Sequence, residues 1–288
     1  QVGSVFLAFE QRLPGRSSRF KPDLPWGISA GIEELRVALN LVTPQASAVL
    51  ISGEGGIGKR DLAHQLHEAS RPDTPFVSVV CSIGTQLDAE HAIFGGQVTS
   101  APLPERLGGA LQQATSGSLM LVDIEALSPA AQLQLHWLLE ASASGRASHR
   151  FDGAPPRLIA TTCLSTSELQ ARVDIGAFRA DLFGILRPWI LEIPPLRERQ
   201  QDIPIVVAQF IALYARADGP ELRVEPELMW RLAQGSWQRN LSDLGSIIET
   251  ACVEAVNEAG VIHETERLSR MLTDVADSRL PVGEGTPH

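Results

Sequence analysis

ISGEGGIGKRDLA, residues 51–63, sets four glycines, a lysine and an arginine between an apolar run and the start of a helical pattern. Within it Gly53-Glu54-Gly55-Gly56-Ile57-Gly58-Lys59 fits G-x-x-x-x-G-K, with a strand pattern before it and a helix pattern after it. Glycines let backbone N–H groups wrap a phosphate, the helix start adds its positive end, and the lysine reaches the outer phosphates. Lys21 and Lys59 are the only lysines in the chain, so Lys59 does not sit in the loop through mere abundance. Arg60 stands where a Ser or Thr hydroxyl would hold Mg²⁺, which argues against a metal at this loop.

Outward from the loop, the stretches SAVLISG (47–53), PFVSVVCS (75–82), GSLMLVD (117–123) and PPRLIATTC (155–163) read as buried strands. GIEELRVALNLV (31–42), KRDLAHQLHEAS (59–70), RLGGALQQA (106–114) and SPAAQLQLHWLLEAS (128–142) read as helices, the last opened by Ser128 with Pro129 at its first position. Strands alternating with helices require crossovers, hence a mainly parallel sheet covered on both faces in a three-layer α/β domain. After EIPPLRERQQDIP (192–204) the strand signals stop, and helical patterns at about 203–217, 225–235 and 240–257 imply a small helical lid. The expected division is an arm or linker at 1–23, the α/β part at 24–195, the lid at 196–275 and a flexible tail at 276–288. Arm and tail are rich in Pro, Gly, Ser and charge, as in an excerpt from a longer protein. The charged run RERQQD reads as a solvated helix start, and Trp189 and Trp230 as core or subunit contacts.

With 34 acidic against 24 basic side chains, the net charge of −10 argues against a general binder of nucleic-acid backbones, so DNA contact is expected from a domain outside this chain. Cys81, Cys163 and Cys252 match neither a zinc pattern nor a disulfide framework, which fits a reduced, cytoplasmic setting. No apolar stretch approaches the roughly 20 residues of a membrane helix, and no signal peptide is visible. His64, His67, His91 and His136 lack metal-ligand spacing, so structural or surface roles are expected and no metal site is assigned.

Further motifs follow in order: FRADLF (178–183), PPLRERQQDIP (194–204) and WQRNLSDL (237–244). With the glycine loop, they make the chain resemble the AAA+ ATPase domain of sigma-54-dependent transcription activators from about Leu24 to Ala255. These motifs are similar to that family's G-E-S-G-T-G-K-E, F-R-x-D-L-Y, P-P-L-R-E-R-x-x-D-I-P and W-P-G-N-V-R-E-L. The resemblance implies a P-loop AAA+ fold, a ring or dimer of copies with nucleotide at their boundaries, and contact with the transcription machinery. It also implies that Arg179 reaches a neighbouring copy's site.

Several chemical positions depart from the family's pattern. Aligning T-L-F-L-D-E-I on Ser118–Ile124 puts Val122 at the Mg²⁺-orienting Asp and Asp123 at the water-activating Glu. Shifting by one makes Asp123 the metal-side carboxylate and leaves Ile124 as the base, so neither register supplies both groups. Val80 replaces the Asn of V-N-C, Cys163 the sensor Asn, Ile185 the second arginine of F-R-x-D-L-Y-Y-R, and Ser242 the lid arginine. Phe94-Gly95 is followed by GQVTSAPLPERLGG, stiffened by Pro102 and Pro104, without the sigma-contacting G-A-F-T-G-A. Phe178, Leu182, Leu196, Arg197 and Arg199, which set the core, remain in place.

The expectation is therefore a degenerate member that holds ATP or ADP at Gly53, Glu54, Gly55, Gly56, Ile57, Gly58, Lys59 and Arg60, with Arg60 as a counter-charge in place of Mg²⁺. It would not hydrolyse efficiently or remodel the sigma-54 holoenzyme. Three alternatives stay open. One is an active ATPase using Asp123 and Glu125; another is a domain responsive to cyclic di-GMP; the third is a subunit that assembles with a competent AAA+ paralogue through Arg179.

Overall fold

The computed structural model describes residues 26–42, 48–96, 108–147, 150–214, 222–255 and 260–277. The stretches read as an arm at 1–23 and as a loop carrying Pro102 and Pro104 lie outside the described residues, as do 278–288. Two compact units arise: one from Glu34–Gly53 and Lys59–Ile193, the other from 26–33, Glu54–Gly58 and Pro194 onward.

In chain order the elements are α1 (Ala30–Val42), β1 (Ala48–Ser52), α2 (Lys59–Ser70), β2 (Phe76–Val80), α3 (Gln86–Phe94), α4 (Gly109–Gln113), β3 (Ser118–Val122), α5 (Pro129–Ala143) and β4 (Arg157–Thr162). There follow α6 (Thr166–Asp174), α7 (Ala180–Leu186), β5 (Ile190–Glu192), α8 (Ile203–Tyr214), β6 (Arg223–Val224), α9 (Pro226–Gln234), α10 (Asn240–Ala255), β7 (Val261–Ile262) and α11 (Glu266–Asp277).

The first unit is a five-stranded sheet in the order β2-β3-β4-β1-β5, and every pairing in it is parallel. β1 and β4 are buried along their whole lengths, as strands covered on both faces must be, which explains the apolar runs Ala48–Ile51 and Leu158–Ala160 at their centres. Leu50, Leu119, Leu121 and Leu158 from the strands meet Leu135 of α5 and Phe178 and Leu182 near α7 in one core. Ser128 caps α5 by accepting the Ala131 N–H at 3.1 Å, with Pro129 at the first turn where its missing N–H costs nothing. Thr85 with Asp88 and Ser165 with Glu168 form reciprocal capping boxes at the starts of α3 and α6. The chain leaves β1 toward β2 and later leaves β4 toward β5, on the opposite side of β1. At such a reversal of strand order, α/β sheets bind ligands outside the carboxyl ends of the strands.

The second unit packs Leu196, Ile203, Val206 and Val207 against Leu228, Leu232, Trp237, Leu244 and Ile248. Four features differ from the sequence reading. β6 and β7 pair in parallel although strand signals stop before them; at two residues each they carry no periodicity. α11 adds a fourth helix to the three expected in this part, and extends to Asp277 inside the stretch read as a tail. RERQQD is solvated at Arg197, Glu198, Gln200 and Gln201 but not throughout: it forms two short 3-10 turns in which Asp202 is fully buried and Arg199 nearly so. Asp202 accepts the Ile28 N–H at 2.7 Å, the Ser29 N–H at 2.8 Å and the Ser29 hydroxyl at 2.6 Å. Arg199 donates to the Trp26 carbonyl at 3.0 Å, and burial pushes its pKa down. Arg199 and Asp202 answer partners more than 170 residues earlier, invisible to a local reading. Trp230 is 63% exposed and so is no core residue, while Trp189 is half-buried.

Candidate nucleotide site

In the first unit, residues at four strand ends meet at the carboxyl edge of the sheet. Lys59 is the first residue of α2. Its ammonium donates to the Gly53 carbonyl at 2.6 Å and to the Cys163 sulfur at 3.2 Å. Cys163 directly follows β4 and is exposed. Its thiol faces Asp123 Oδ1 at 3.9 Å, and the Ser82 hydroxyl donates to Asp123 Oδ2 at 2.6 Å. Asp123 follows β3 in the left-handed region (φ 57, ψ 57), which Asp tolerates better than most side chains. Lys59, Cys163, Asp123 and Ser82 thus form one connected polar cluster at the sheet's carboxyl edge.

Beside that cluster the sheet ends in hydrocarbon. Val80 and Val122 are register partners at the last rung of the β2–β3 ladder, and the Cys81 N–H donates to the Val122 carbonyl at 2.9 Å. Buried Cys81 has its thiol pushed up to about 12, chiefly by burial and further by the charges of Asp123 and Glu125. Ile124 is fully buried, and so is not available as a base in the alternative register. Glu125 lies in the short 3-10 turn after Asp123, with its Oε2 buried and lacking a hydrogen-bond partner among the described residues. Among the described residues no group of three or more His, Cys, Asp or Glu could hold a metal ion, and no helix is long and apolar enough to cross a membrane.

Arg179 caps α7, where its backbone N–H donates to the Gln132 side chain at 2.8 Å. Its guanidinium grips Asp181 with two hydrogen bonds of 3.0 and 2.5 Å. The bonds raise the pKa of Arg179 and hold the Asp181 carboxyl below its usual range, the guanidinium contact being the main cause. Ile185, on α7, packs against the core.

The loop residues Glu54–Gly58 belong to the second unit, and the contacts that seat them are made there. Arg197 forks onto Glu54 at 2.8 and 2.6 Å, which raises the arginine's pKa. The Asn240 amide donates to Glu54 Oε2 and to the Gly55 carbonyl, both at 3.1 Å, and its oxygen accepts the Leu196 N–H at 2.9 Å. The Ser242 N–H reaches the Gly56 carbonyl at 3.2 Å. Gly56 has φ +70, and a Cβ there would stand 2.2 Å from the Arg239 carbonyl oxygen and 2.6 Å from the Ser242 hydroxyl. Gly55 faces open space, Ile57 is buried and Arg60 is exposed on α2.

Arg197, read from the sequence as setting the core, is instead 46% exposed and serves Glu54, and Asn240, in another quoted motif, received no role from the sequence. The available signal was their type: an arginine fork matches a carboxylate such as Glu54, and Asn tolerates the left-handed backbone it adopts here at φ 49. Trp237 anchors the turn before Asn240, fully buried, with its indole N–H on the Leu232 carbonyl at 2.9 Å.

The sigma-54 interaction domain profile matches residues 26–192, and the AAA+ ATPase lid domain profile residues 197–279. The Nif-specific regulatory protein of Azospirillum brasilense is 33% identical over 246 residues, covering 84% of this chain and 38% of that protein. The transcriptional regulatory protein ZraR of Escherichia coli K12 is 30% identical over 264 residues, covering 90% of this chain and 57% of that protein. The chain therefore spans between about a third and somewhat over half the length of these relatives. Among solved structures, NtrX from Brucella abortus in complex with ADP aligns with a TM-score of 0.67 at 25% identity, covering 87% of this chain and 60% of that one. The same protein in complex with ATP aligns at 0.65 and 27%, covering 84% and 55%. The motifs of the glycine loop, the parallel sheet that carries it and the matched lid agree on one conclusion: the chain belongs to the sigma-54 interaction family of AAA+ domains.

Proposed function

We propose that this domain binds ADP or ATP through its glycine loop, uses the bound state for assembly or sensing in a transcription regulator, and does not hydrolyse ATP efficiently. On this reading the backbone of Gly53–Arg60 and the Lys59 ammonium hold the phosphates. The NtrX complexes with ADP and ATP support a nucleotide as ligand. The loop's own shape supports it too, since Gly55 faces open space where a phosphate would approach.

The observation that carries the loss of hydrolysis is the pairing of Val80 with Val122 at the strand ends. Phosphoryl transfer to water depends on a positioned metal, a positioned water and cationic groups acting together. Aliphatic side chains at both of these positions can neither ligate Mg²⁺ nor orient water. Asp123, the carboxylate joined to the Lys59 cluster, is engaged by Ser82. The residues present do not fit a bound Mg²⁺, so no step is routed through one. Arg60 would supply counter-charge instead, and the ring-forming role of Arg179 would require its release from Asp181. The α/β part is read as 24–195 and the lid as 196–275; contact with the transcription machinery, self-association and DNA contact through another domain follow from the family.

The test is calorimetric titration with ATP, ADP and cyclic di-GMP, with and without Mg²⁺, beside a phosphate-release assay on the same sample. Adenine-nucleotide binding that is indifferent to Mg²⁺ and gives no turnover is the expected result. Mg²⁺-dependent turnover abolished by Asp123→Ala overturns it in favour of an active ATPase. Binding of cyclic di-GMP alone overturns the ligand assignment.

A further inference from the structure

The outer side of α9 presents a large indole to solvent. Trp230 is 63% exposed, and Glu227, three residues earlier on the same side of the helix, is exposed with it. Glu227 and the exposed Glu225 line an open pocket of about 590 Å³ together with Leu228, His263 and Glu264. Glu264 is engaged by Arg231, whereas the carboxylates of Glu225 and Glu227 meet no cation among the described residues. An exposed ring beside two such carboxylates suits a partner that carries several cations on a flexible chain: a guanidinium stacks on the indole while its neighbours pair with the acids.

The chain itself holds such a segment. RLPGRSSRFK, residues 12–21, carries Arg12, Arg16, Arg19 and Lys21 and no acidic side chain, so its charge is opposite to that of the α9 face. The segment lies outside the described residues, but the chain that follows it is fixed in the same unit as α9. Trp26 stands edge-on to Phe210 with ring centroids 5.3 Å apart, and its carbonyl accepts from Arg199 at 3.0 Å. A fully extended chain spans at most about 3.6 Å per residue, so Arg19 lies within about 25 Å of Trp26 and Arg16 within about 36 Å. A unit of this size has a radius of gyration of about 12 Å, which puts its whole surface within reach. The tether also supplies a high effective concentration, so contacts too weak to hold a free peptide can hold the arm.

We propose that the arginine-bearing segment 12–21 docks on the α9 face of its own chain, one guanidinium stacking on Trp230 and neighbouring cations pairing with Glu225 and Glu227. Docking of this kind does not depend on nucleotide binding. It ties the arm to the lid part through contacts that are exposed and therefore weakened by salt.

The experiment is limited trypsin digestion of the full chain, with cuts after Arg12, Arg16 and Arg19 followed by intact mass. It compares wild type, the double variant Glu225→Gln with Glu227→Gln, and Trp230→Ala, at low and at high salt. Glu249→Gln, an exposed acid on α10 of the same unit, is the control for net charge. All the substituted side chains are exposed, so each variant keeps its core. At low salt the arm of the wild type is cut roughly fivefold more slowly than that of the carboxylate pair variant or Trp230→Ala, because cutting tracks the undocked fraction. High salt removes most of that difference, and Glu249→Gln is cut like wild type. Equal cutting of wild type and the α9 variants at low salt overturns the docking. Acceleration of the same size in Glu249→Gln also overturns it, since the effect would then belong to net charge and not to this face. Protection that is independent of protein concentration supports docking within one chain; protection that grows with concentration places the arm on a second copy and overturns it.

Discussion

Replacing Gly56 by alanine, with Gly55→Ala as its neighbour and control, tests whether the glycine loop is seated on the start of α10. At Gly56 the new Cβ would lie 2.2 Å from the Arg239 carbonyl oxygen, roughly 1 Å inside the closest comfortable carbon–oxygen approach of about 3.3 Å. The backbone there has φ +70, which costs a residue with a Cβ about 1–2 kcal/mol. Relief of the clash requires the loop to withdraw, and withdrawal breaks the Ser242 N–H bond to the Gly56 carbonyl, worth about 1 kcal/mol. Gly55 has neither a positive φ nor any atom within 4 Å of a Cβ. Both substitutions remove the same glycine freedom from the unfolded chain, so that contribution cancels between them. The expected difference in unfolding free energy is about 2–3 kcal/mol, with Gly56→Ala the weaker protein. Urea unfolding of the two variants measures it. Variants that agree within about 0.5 kcal/mol would refute the seating.

Two further outcomes are expected. Asp202→Ala strands two backbone N–H groups, the Ser29 hydroxyl and the buried charge of Arg199, and should cost about 3–5 kcal/mol in urea unfolding; a loss below about 1 kcal/mol would mean the cluster is dispensable. The Asp181 carboxyl is held below its usual range by Arg179 first, with further help from the Leu182 N–H and His136. Its contribution to stability is therefore present above the ordinary carboxylate pKa and lost as pH falls through the lowered value. Because both partners are about one-third exposed, the contribution stays within about 1 kcal/mol. Asp181→Asn should flatten the acid limb of the urea midpoint against pH by that much, and an unaltered limb would show the pair to be idle.

Much of this architecture was legible because the decisive signals are local. The apolar runs of β1, β3 and β4 announce strands buried on both faces, Ser128-Pro129 announces a helix start, and G-x-x-x-x-G-K fixes the turn between β1 and α2. The family, its fold and its lid followed from the order of such pieces. What stayed hidden was either short or distant. β5 has three residues and β6 and β7 two each, below the length at which alternation can be read. α3 and α6 are weakly amphipathic, and their remaining trace in the sequence is a capping box at each start. Charge misled the reading of RERQQD, because burial of Arg199 and Asp202 depends on Trp26–Ser29, which no window around residue 200 contains. The roles of Arg197 and Asn240 were hidden for the same reason: each is defined by Glu54, far away in the chain.

That separation bears on how the protein is made. Glu54 and the Asn240 that holds it are 186 residues apart. A ribosome therefore delivers β1, the glycine loop and α2 long before it delivers the turn that seats the loop. In the nascent chain the parallel sheet can close around its own core while the glycine loop still has no seat. Completion of α10 supplies the Asn240 amide and the Ser242 N–H, and those bonds set the loop only once the last quarter of the chain has emerged. The seating of the glycine loop is thereby tied to the end of synthesis.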